Sequence, residues 1–208
     1  MTTTAPRPST FLLPTPLAPT GGVRAALRER RSEHGFQDAA VSAQQLSLIL
    51  SESAGITDAF GRGTPSPART YPLDVVVVVM NVGGIAPGFY RFHAEECALT
   101  WIDVDAEPRT WMQKFLHRPD LASTEAFHVL LFGDEDKLTE RFGAASTRLM
   151  LLEAGHLIQS MILMATALGI GSCAIGNLDL AADVDTLLAI SELEPVHGAA
   201  FGHPLPRH

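Results

Sequence analysis

The chain has 208 residues, of which 46% are hydrophobic and 18% are charged, a balance typical of one folded globular domain. Its formal net charge of -8 at pH 7 disfavours partners such as nucleic acid and anionic membrane surfaces, because both reward an excess of lysine and arginine. The two cysteines, Cys97 and Cys173, form no Cys-x-x-Cys motif, which excludes a disulfide framework and a four-thiolate zinc site. We therefore expect a protein of the reducing cytoplasm.

Residues 1–21 are rich in proline and threonine, and we expect them to form a flexible arm ahead of one domain over residues 22–208. The arm has no basic start followed by an apolar core, so the sequence predicts no signal peptide. It contains one apolar patch, Phe11-Leu12-Leu13, for which docking onto a neighbouring surface is the alternative.

The first predicted elements are two helices. Residues 22–31 have helical periodicity, with the apolar side chains on one side. Ser42, with Gln45 three positions later, forms a capping box for a second helix that reaches about Ser53 and is stopped by Gly55.

A Gly/Pro-rich loop follows at residues 60–72, and its length requires a functional role or burial against another element. Residues 75–80 are a continuous, mostly β-branched run, which predicts a central strand covered on both faces. The later elements in chain order are a hairpin at 89–93 and 98–103, a helix at 108–118, a strand at 126–133, a long helix at 149–168, a strand or turn at 171–176, a helix ending near 190 and a last short strand in 197–204. Helices mixed with hairpins favour an α+β fold over a doubly wound parallel sheet.

The helix predicted at 149–168 is long and apolar enough to span a membrane, but it carries Glu153, His156 and Ser160 on one face. We expect a soluble helix buried nearly all round, either in a large core or in a subunit interface. Glu153 and His156 have the Glu-x-x-His spacing of di-iron helices, but another copy of that spacing, residues 194–197, contains a proline. We predict no metal site and a hydrogen-bonded Glu153–His156 pair.

The cations of this acidic chain gather in RERRSEHGF, residues 28–36. Arg30, Arg31, Ser32 and His34 lie where the first helix gives way to a loop. Two interpretations remain open for the residues: the cations offset the negative end of the helix dipole, or the arginines and the hydroxyl bind a phosphate.

Read in chain order, several segments resemble the FMN-dependent nitroreductase family, and most of all its SagB-type branch of thiazole/oxazole-forming peptide dehydrogenases. The resemblance covers residues 24–204 and implies an α+β sandwich, in which helices flank a mixed, largely antiparallel sheet. It also implies a homodimer with one FMN per active site at the interface and the helix at 149–168 as the dimer core. The segments are RRSEHGF (30–36), TPSPARTYPLDVVVVV (64–79), PGFYRF (87–92), LLEAGHLIQSMILMATALGIGSCAIG (151–176) and FGHP (201–204).

The resemblance implies a role for each matching residue at the phosphate end of FMN. Arg30, Arg31 and Ser32 fall on the family's Arg-Arg-Ser, which holds the phosphate and the ribityl chain. Arg207 is the candidate for the family's late phosphate-binding arginine. His34 takes the place of a cation that faces N1 and O2 of the flavin, where a donor stabilises the negative charge of the reduced ring.

The resemblance also implies contacts to the ring itself. Pro65 and Ser66 match a loop that edges the isoalloxazine from the other subunit. Ile175 and Gly176 match a turn whose backbone amides approach flavin N5, and glycine allows the backbone to come that close. Arg69 departs from the family's loop, which usually ends in small residues, and it either binds an acidic group of the substrate or crowds the pocket.

A second departure concerns proton transfer. Azoline dehydrogenases of this branch usually carry a Lys-Tyr pair before the buried helix, whereas the corresponding residues here are Arg141 and Phe142. Neither can deprotonate carbon, which argues against azoline oxidation and leaves flavin binding unaffected.

The resemblance therefore predicts an FMN-dependent oxidoreductase that dehydrogenates a peptide-derived or heterocyclic small substrate in natural-product biosynthesis. Catalytic candidates are His34 and Arg69. Two alternatives remain: an NAD(P)H-dependent reductase of nitro groups, quinones or enamides, and a non-catalytic flavin-fold subunit that binds a partner in a biosynthetic complex.

Overall fold

The computed structural model describes residues 10–15, 22–58, 61–116, 123–176 and 184–206. The strands are β1 (Thr10–Leu12), β2 (Val41–Ser42), β3 (Ile56–Asp58), β4 (Gly61–Arg62), β5 (Leu73–Val79), β6 (Val82–Gly83), β7 (Gly88–His93), β8 (Ala98–Ile102), β9 (Phe127–Gly133), β10 (Gly171–Ile175) and β11 (Glu194–Gly202). The helices are α1 (Val23–Glu29), α2 (Ala43–Ala54), α3 (Pro108–Phe115), α4 (Asp136–Phe142), α5 (Ser146–Ala167) and α6 (Val184–Ile190).

The main sheet has seven strands in the order β1-β8-β7-β5-β9-β11-β10, and every neighbouring pair is antiparallel. Two small two-stranded sheets lie outside it, β2 with β6 and β3 with β4. The order leaves β10 at one edge, where its second side is free to meet the segment that follows α1. The predicted α+β class is confirmed.

The central strand β5 is buried on both faces, as its β-branched run predicts. Val75, Val77 and Val79 belong to the core that contains α2 and α5. Val76 and Val78 belong to the opposite core, which contains α3 and α6. Because successive side chains of a strand point to opposite faces, this one apolar run contributes to the cores on both sides of the sheet.

The capping box of α2 is also confirmed. The Ser42 hydroxyl accepts a hydrogen bond from the Gln45 amide at 3.2 Å, and the Gln45 side-chain oxygen accepts one from the Ser42 amide at 3.0 Å. The helix begins at Ala43 and ends at Ala54, next to Gly55.

Part of the expected N-terminal arm is a strand of the sheet. Thr10–Leu12 pairs with β8, and the carbonyl of Pro14 accepts a hydrogen bond from the hydroxyl of Ser47 on α2 at 2.6 Å. The apolar patch therefore docks onto its own chain, because β8 would otherwise leave an unpaired sheet edge. Residues 10–15 are thus paired with β8 and bound to α2.

Within one chain, helix α5 is buried on one face only, so burial in a subunit interface stays a prediction. Leu157 and Met161 face the core, whereas Leu151 and Leu152 expose 48% and 50% of their surface. The helix passes the length and hydropathy test for a membrane span, but it packs against α1, α2, β10 and β11 as the core helix of a globular domain.

Candidate functional site

The segment after α1 runs alongside the edge strand β10. Ser32 forms a parallel bridge with Ser172, and the amide of Glu33 donates to the carbonyl of Ser172 at 2.9 Å. Further along, Phe36 bridges to Pro204, just beyond β11. Packing thus brings RRSEHGF, GSCAIG and FGHP together, although they are far apart in the sequence.

The side chains of this segment follow the direction of β10. Ser32 lies beside Ser172, and Nδ1 of His34 lies 3.9 Å from Sγ of Cys173, the next residue of the strand. Ile175 ends β10 and Gly176 follows it. Along the edge of β10, the hydroxyl of Ser32 therefore comes first, the imidazole of His34 comes next, and the end of the strand at Ile175 comes last.

The two arginines before Ser32 have different environments. Nη1 of Arg31 donates to the carbonyls of Arg28 and Arg30, at 2.8 Å each, so this guanidinium caps the C-terminal end of α1. Arg30 is half-buried, and its guanidinium has no hydrogen bond or ion pair with the residues that the structure describes. The helix-end interpretation therefore describes Arg31, and Arg30 remains a candidate to bind an anion.

A cleft of about 310 Å³ lies between this segment and the start of β10. Its walls contain Arg31 together with the carboxylates of Glu29 and Glu33. Two carboxylates beside one guanidinium make the centre of this cleft a poor place for a phosphate.

Pro65 and Ser66 lie elsewhere in the chain. They line a second cavity, of about 240 Å³, together with residues of α5, and this cavity shares no lining residue with the cleft beside Arg31. Arg69, on the same loop, is exposed. Within one chain, the cavity beside Pro65 and Ser66 contains neither His34 nor a residue of β10.

The loop that carries them, residues 61–72, is here named the Pro-Ser loop. Three of its non-glycine residues have left-handed backbones: Ala68 at φ 52°, Arg69 at φ 60° and Tyr71 at φ 47°. Each costs about 1 kcal/mol. The Arg62 amide donates to the Tyr71 hydroxyl at 3.2 Å, and the Arg62 guanidinium lies 4.3 Å from the centre of the Tyr71 ring. Such local strain in a tethered loop is typical of functional segments.

The buried carboxylate of Glu153 is bound to this loop. Its Oε2 accepts a hydrogen bond from the Ser66 hydroxyl at 2.7 Å, and the Ser66 oxygen accepts one from the Tyr71 amide at 2.9 Å. Burial raises the pKa of Glu153, while the Ser66 hydrogen bond and the charge of Arg62 act to lower it. The predicted Glu153–His156 pair is wrong, because Glu153 faces the loop and the His156 side chain is exposed.

The sequence profile of the nitroreductase family matches residues 27–203. The chain belongs to the nitroreductase family. Members of this family are oxidoreductases, and the cofactor that goes with the family is FMN. The protein MJ1384 of Methanocaldococcus jannaschii, whose name assigns it to the nitroreductases, is 29% identical over 151 residues, which are 72% of this chain and 76% of that protein.

Solved structures share the nitroreductase fold at low identity. A protein of Ralstonia eutropha has a TM-score of 0.80 at 20% identity, with 98% of this chain and 96% of that chain covered. The Escherichia coli microcin synthetase complex McbBCD has a TM-score of 0.70 at 18% identity, with 92% and 76% covered. A Desulfovibrio desulfuricans structure in complex with FMN has a TM-score of 0.59 at 22% identity, with 90% and 88% covered. These likenesses establish the fold.

The residues along β10 fit the chemistry of FMN. The hydroxyl of Ser32 and the imidazole of His34 suit a ribityl chain and an electron-rich ring edge, and Arg30, two residues earlier and without a side-chain partner among the described residues, suits a phosphate. At the end of the strand, none of the described atoms lies within 4 Å of a Cβ built on Gly176.

Sequence reasoning missed His197, whose Nδ1 lies 3.0 Å from the carbonyl oxygen of Ile175 and so steadies the end of β10. It also assigned Glu153 to the wrong partner. A lone acid in an apolar helix was the available signal for Glu153, but no signal pointed to Ser66 as its partner. Arg207 lies outside the described residues.

The replaced proton-transfer pair offers no base in the structure either. Arg141 is exposed at the end of α4, and its guanidinium lies 5.7 Å from the centre of the neighbouring Phe142 ring. Among the described residues, no three His, Cys, Asp or Glu side chains are grouped so that they could hold a metal ion.

Proposed function

We propose that this protein is an FMN-dependent oxidoreductase of the cytoplasm, with residues 22–208 as its FMN-binding domain. The proposal is carried by the order of Ser32, His34 and Ile175 along β10 in a chain of the nitroreductase family. That order parallels the phosphate, the N1/O2 edge and the N5 position of one flavin.

In this proposal, each residue acts by binding or by electrostatics. Arg30 binds the phosphate with Ser32 beside it, and Arg31 holds the end of α1 that carries Arg30. His34 donates to the N1/O2 edge, where negative charge develops on reduction. The backbone of Ile175 and Gly176 lies against the N5 edge. When bound, FMN supplies the electron chemistry by exchanging hydride with the substrate.

We further propose a homodimer in which the Pro-Ser loop of one subunit reaches the flavin of the other. Two observations support it. Pro65 and Ser66 line a cavity to which neither His34 nor β10 contributes, as expected if the loop serves the flavin of another subunit. Leu151 and Leu152 also expose apolar surface on α5, beside that cavity.

For the substrate, we propose a flat, peptide-derived or heterocyclic molecule that is dehydrogenated during natural-product biosynthesis. The fold that this chain shares with the microcin synthetase structure supports this assignment, as does the PGFYRF segment at residues 87–92. Arg69, on the exposed loop, would bind an acidic group of such a substrate. The rival is an NAD(P)H-dependent reductase, which the Arg141–Phe142 replacement favours because reduction of a nitro group or quinone needs no base to deprotonate carbon.

The test is a visible absorption spectrum of the purified protein, followed by thermal unfolding with and without added FMN. We expect a flavin spectrum, or a rise in melting temperature with FMN as mass action requires. A colourless protein that FMN neither binds nor stabilises would refute the proposal. Anaerobic mixing with NADPH then separates the two enzymes, because rapid bleaching of the flavin identifies the reductase.

A further inference from the structure

The Ser66 hydroxyl is a junction between the Pro-Ser loop and α5. Its oxygen accepts from the Tyr71 amide at 2.9 Å, and its single hydrogen is donated to Oε2 of Glu153 at 2.7 Å. A hydroxyl can donate only one hydrogen, so Glu153 fixes the direction in which Ser66 points. Two residues of the loop, Ser66 and Tyr71, are thereby connected to Glu153 of α5 through one oxygen atom.

Backbone bonds hold the two ends of the loop: β4 pairs with β3, and the Asp134 amide donates to the Pro72 carbonyl at 2.8 Å. Between these ends, the Thr70 hydroxyl donates to the Pro67 carbonyl at 2.9 Å, a bond internal to the loop. A second side-chain bond does join the loop to α5, from Thr64 to Ser160, but its length of 3.4 Å is at the weak limit. The short bond to Glu153 is therefore the principal side-chain link between the loop and the helix.

The backbone of the loop makes such a link necessary. Ala68, Arg69 and Tyr71 all adopt left-handed conformations that residues with a Cβ populate poorly. A conformation of this kind persists only where the surroundings determine it. Tyr71, whose amide donates to the Ser66 oxygen, is itself one of these strained residues.

We propose that Glu153 is a positioning residue for the flavin site: through Ser66 it holds the Pro-Ser loop in the strained form that presents Pro65 and Ser66 to the ring. The inference rests on the proposed function, which assigns this loop to the flavin of the neighbouring subunit. Glu153 touches Ser66 and acts on the cofactor only through it. Its carboxylate also lines the cavity of about 240 Å³ beside the loop, so the link stands at the wall of the proposed site.

The experiment compares Glu153→Leu, Glu153→Gln and Ser66→Ala, with Glu140→Gln on the exposed side of α4 as the matched control. Three quantities are measured: the Kd for FMN, the visible spectrum of the bound flavin, and hydrogen exchange at the Tyr71 amide in the apoprotein. Leucine removes the acceptor at similar volume, whereas the amide oxygen of glutamine can still accept from Ser66.

We expect Glu153→Leu and Ser66→Ala to weaken FMN binding about tenfold or more, to shift the flavin spectrum and to speed exchange at Tyr71. Glu153→Gln and the control should stay close to the wild type. The double variant Glu153→Leu/Ser66→Ala should be no worse than either single change, because both remove the same link.

The inference is overturned if Glu153→Leu has the FMN Kd, the flavin spectrum and the Tyr71 exchange rate of the wild type. It is also overturned if Glu153→Gln differs from the wild type in these three quantities. Additive losses in the double variant would overturn it too. If Glu153→Leu does not fold, Ser66→Ala, which removes one oxygen atom, gives the same test. Absence of FMN binding by the wild type would instead refute the proposed function, and exchange at Tyr71 would still test the link by itself.

Discussion

Ser32 and Ser172 form a parallel β-bridge, and the amide of Glu33 donates to the carbonyl of Ser172 at 2.9 Å. This contact aligns the cationic segment with β10 residue by residue, so that His34 arrives beside Cys173. The proposed flavin site therefore depends on the edge position of β10 in the sheet, since an inner strand would already be paired on that side.

The first prediction distinguishes the two arginines. Arg30→Ala should weaken FMN binding about 10- to 100-fold, the scale of a charge-assisted contact, with little effect on melting temperature. Arg31→Ala should remove the cap at the end of α1 and lower the melting temperature by about 2–4 °C, for a loss of about 1 kcal/mol, with a smaller change in affinity. Fluorescence titration and thermal unfolding of both variants provide the comparison. The reverse pattern would make Arg31 the principal phosphate ligand, and unchanged FMN affinity in both variants would remove the pair from the site.

The second prediction concerns His34. His34→Ala should make the reduction potential of the bound flavin about 30 mV or more negative, the equivalent of about 1.4 kcal/mol for a two-electron couple, because a donor to the reduced ring is lost. Its effect on FMN affinity should be smaller. A redox titration measures this, with His93→Ala on β7 as the matched control. A potential equal to that of the wild type would exclude His34 from the ring.

The third prediction is a pH dependence of stability. Burial raises the pKa of Glu153 above its ordinary value of 4.5, so the protonated form stabilises the fold below that value, and this contribution is lost as pH rises through the pKa of the folded state. Glutamine resembles the neutral form at every pH. The unfolding free energy of Glu153→Gln should therefore gain on that of the wild type as the pH rises above 4.5 and through the pKa of the folded state.

Denaturant unfolding at several pH values measures this difference. Glu140→Gln, at an exposed carboxylate on α4, is the control, and its difference from the wild type should change little over the same range. A constant difference between Glu153→Gln and the wild type would contradict the assigned direction of the pKa shift.

The fourth prediction tests the docking of residues 10–15. The buried Ser47 hydroxyl donates to the Pro14 carbonyl at 2.6 Å, and Ser47→Ala removes that bond. We expect a loss of about 1 kcal/mol, or about 2–4 °C in melting temperature, and faster proteolysis between residues 10 and 15. Ser51→Ala, one turn further along α2, is the control. Equal proteolysis of the two variants would return these residues to a flexible arm.

Much of the fold was predictable because its signals are local. The run Val75–Val79 identified a strand with two covered faces, and Ser42 with Gln45 identified the start of α2. Strand β1 was not predicted, since Thr10–Leu12 forms a strand only by pairing with β8, Ala98–Ile102, which lies far away along the chain. The short helix α4 was also not predicted as a separate element, because its few apolar positions carry little periodicity.

The sequence by itself determined the family, the two-sided core strand and the gathering of cations between α1 and β2, because residue types and their spacing are properties of the chain. Only the tertiary structure decided which of those cations binds the end of α1 and which does not. Arg31 turns back to the carbonyls of α1, while Arg30 has no such partner among the described residues. It also decided that Glu153 binds Ser66 and not His156, since a hydrogen bond depends on which surfaces packing brings within about 3 Å, and helical spacing alone cannot specify that.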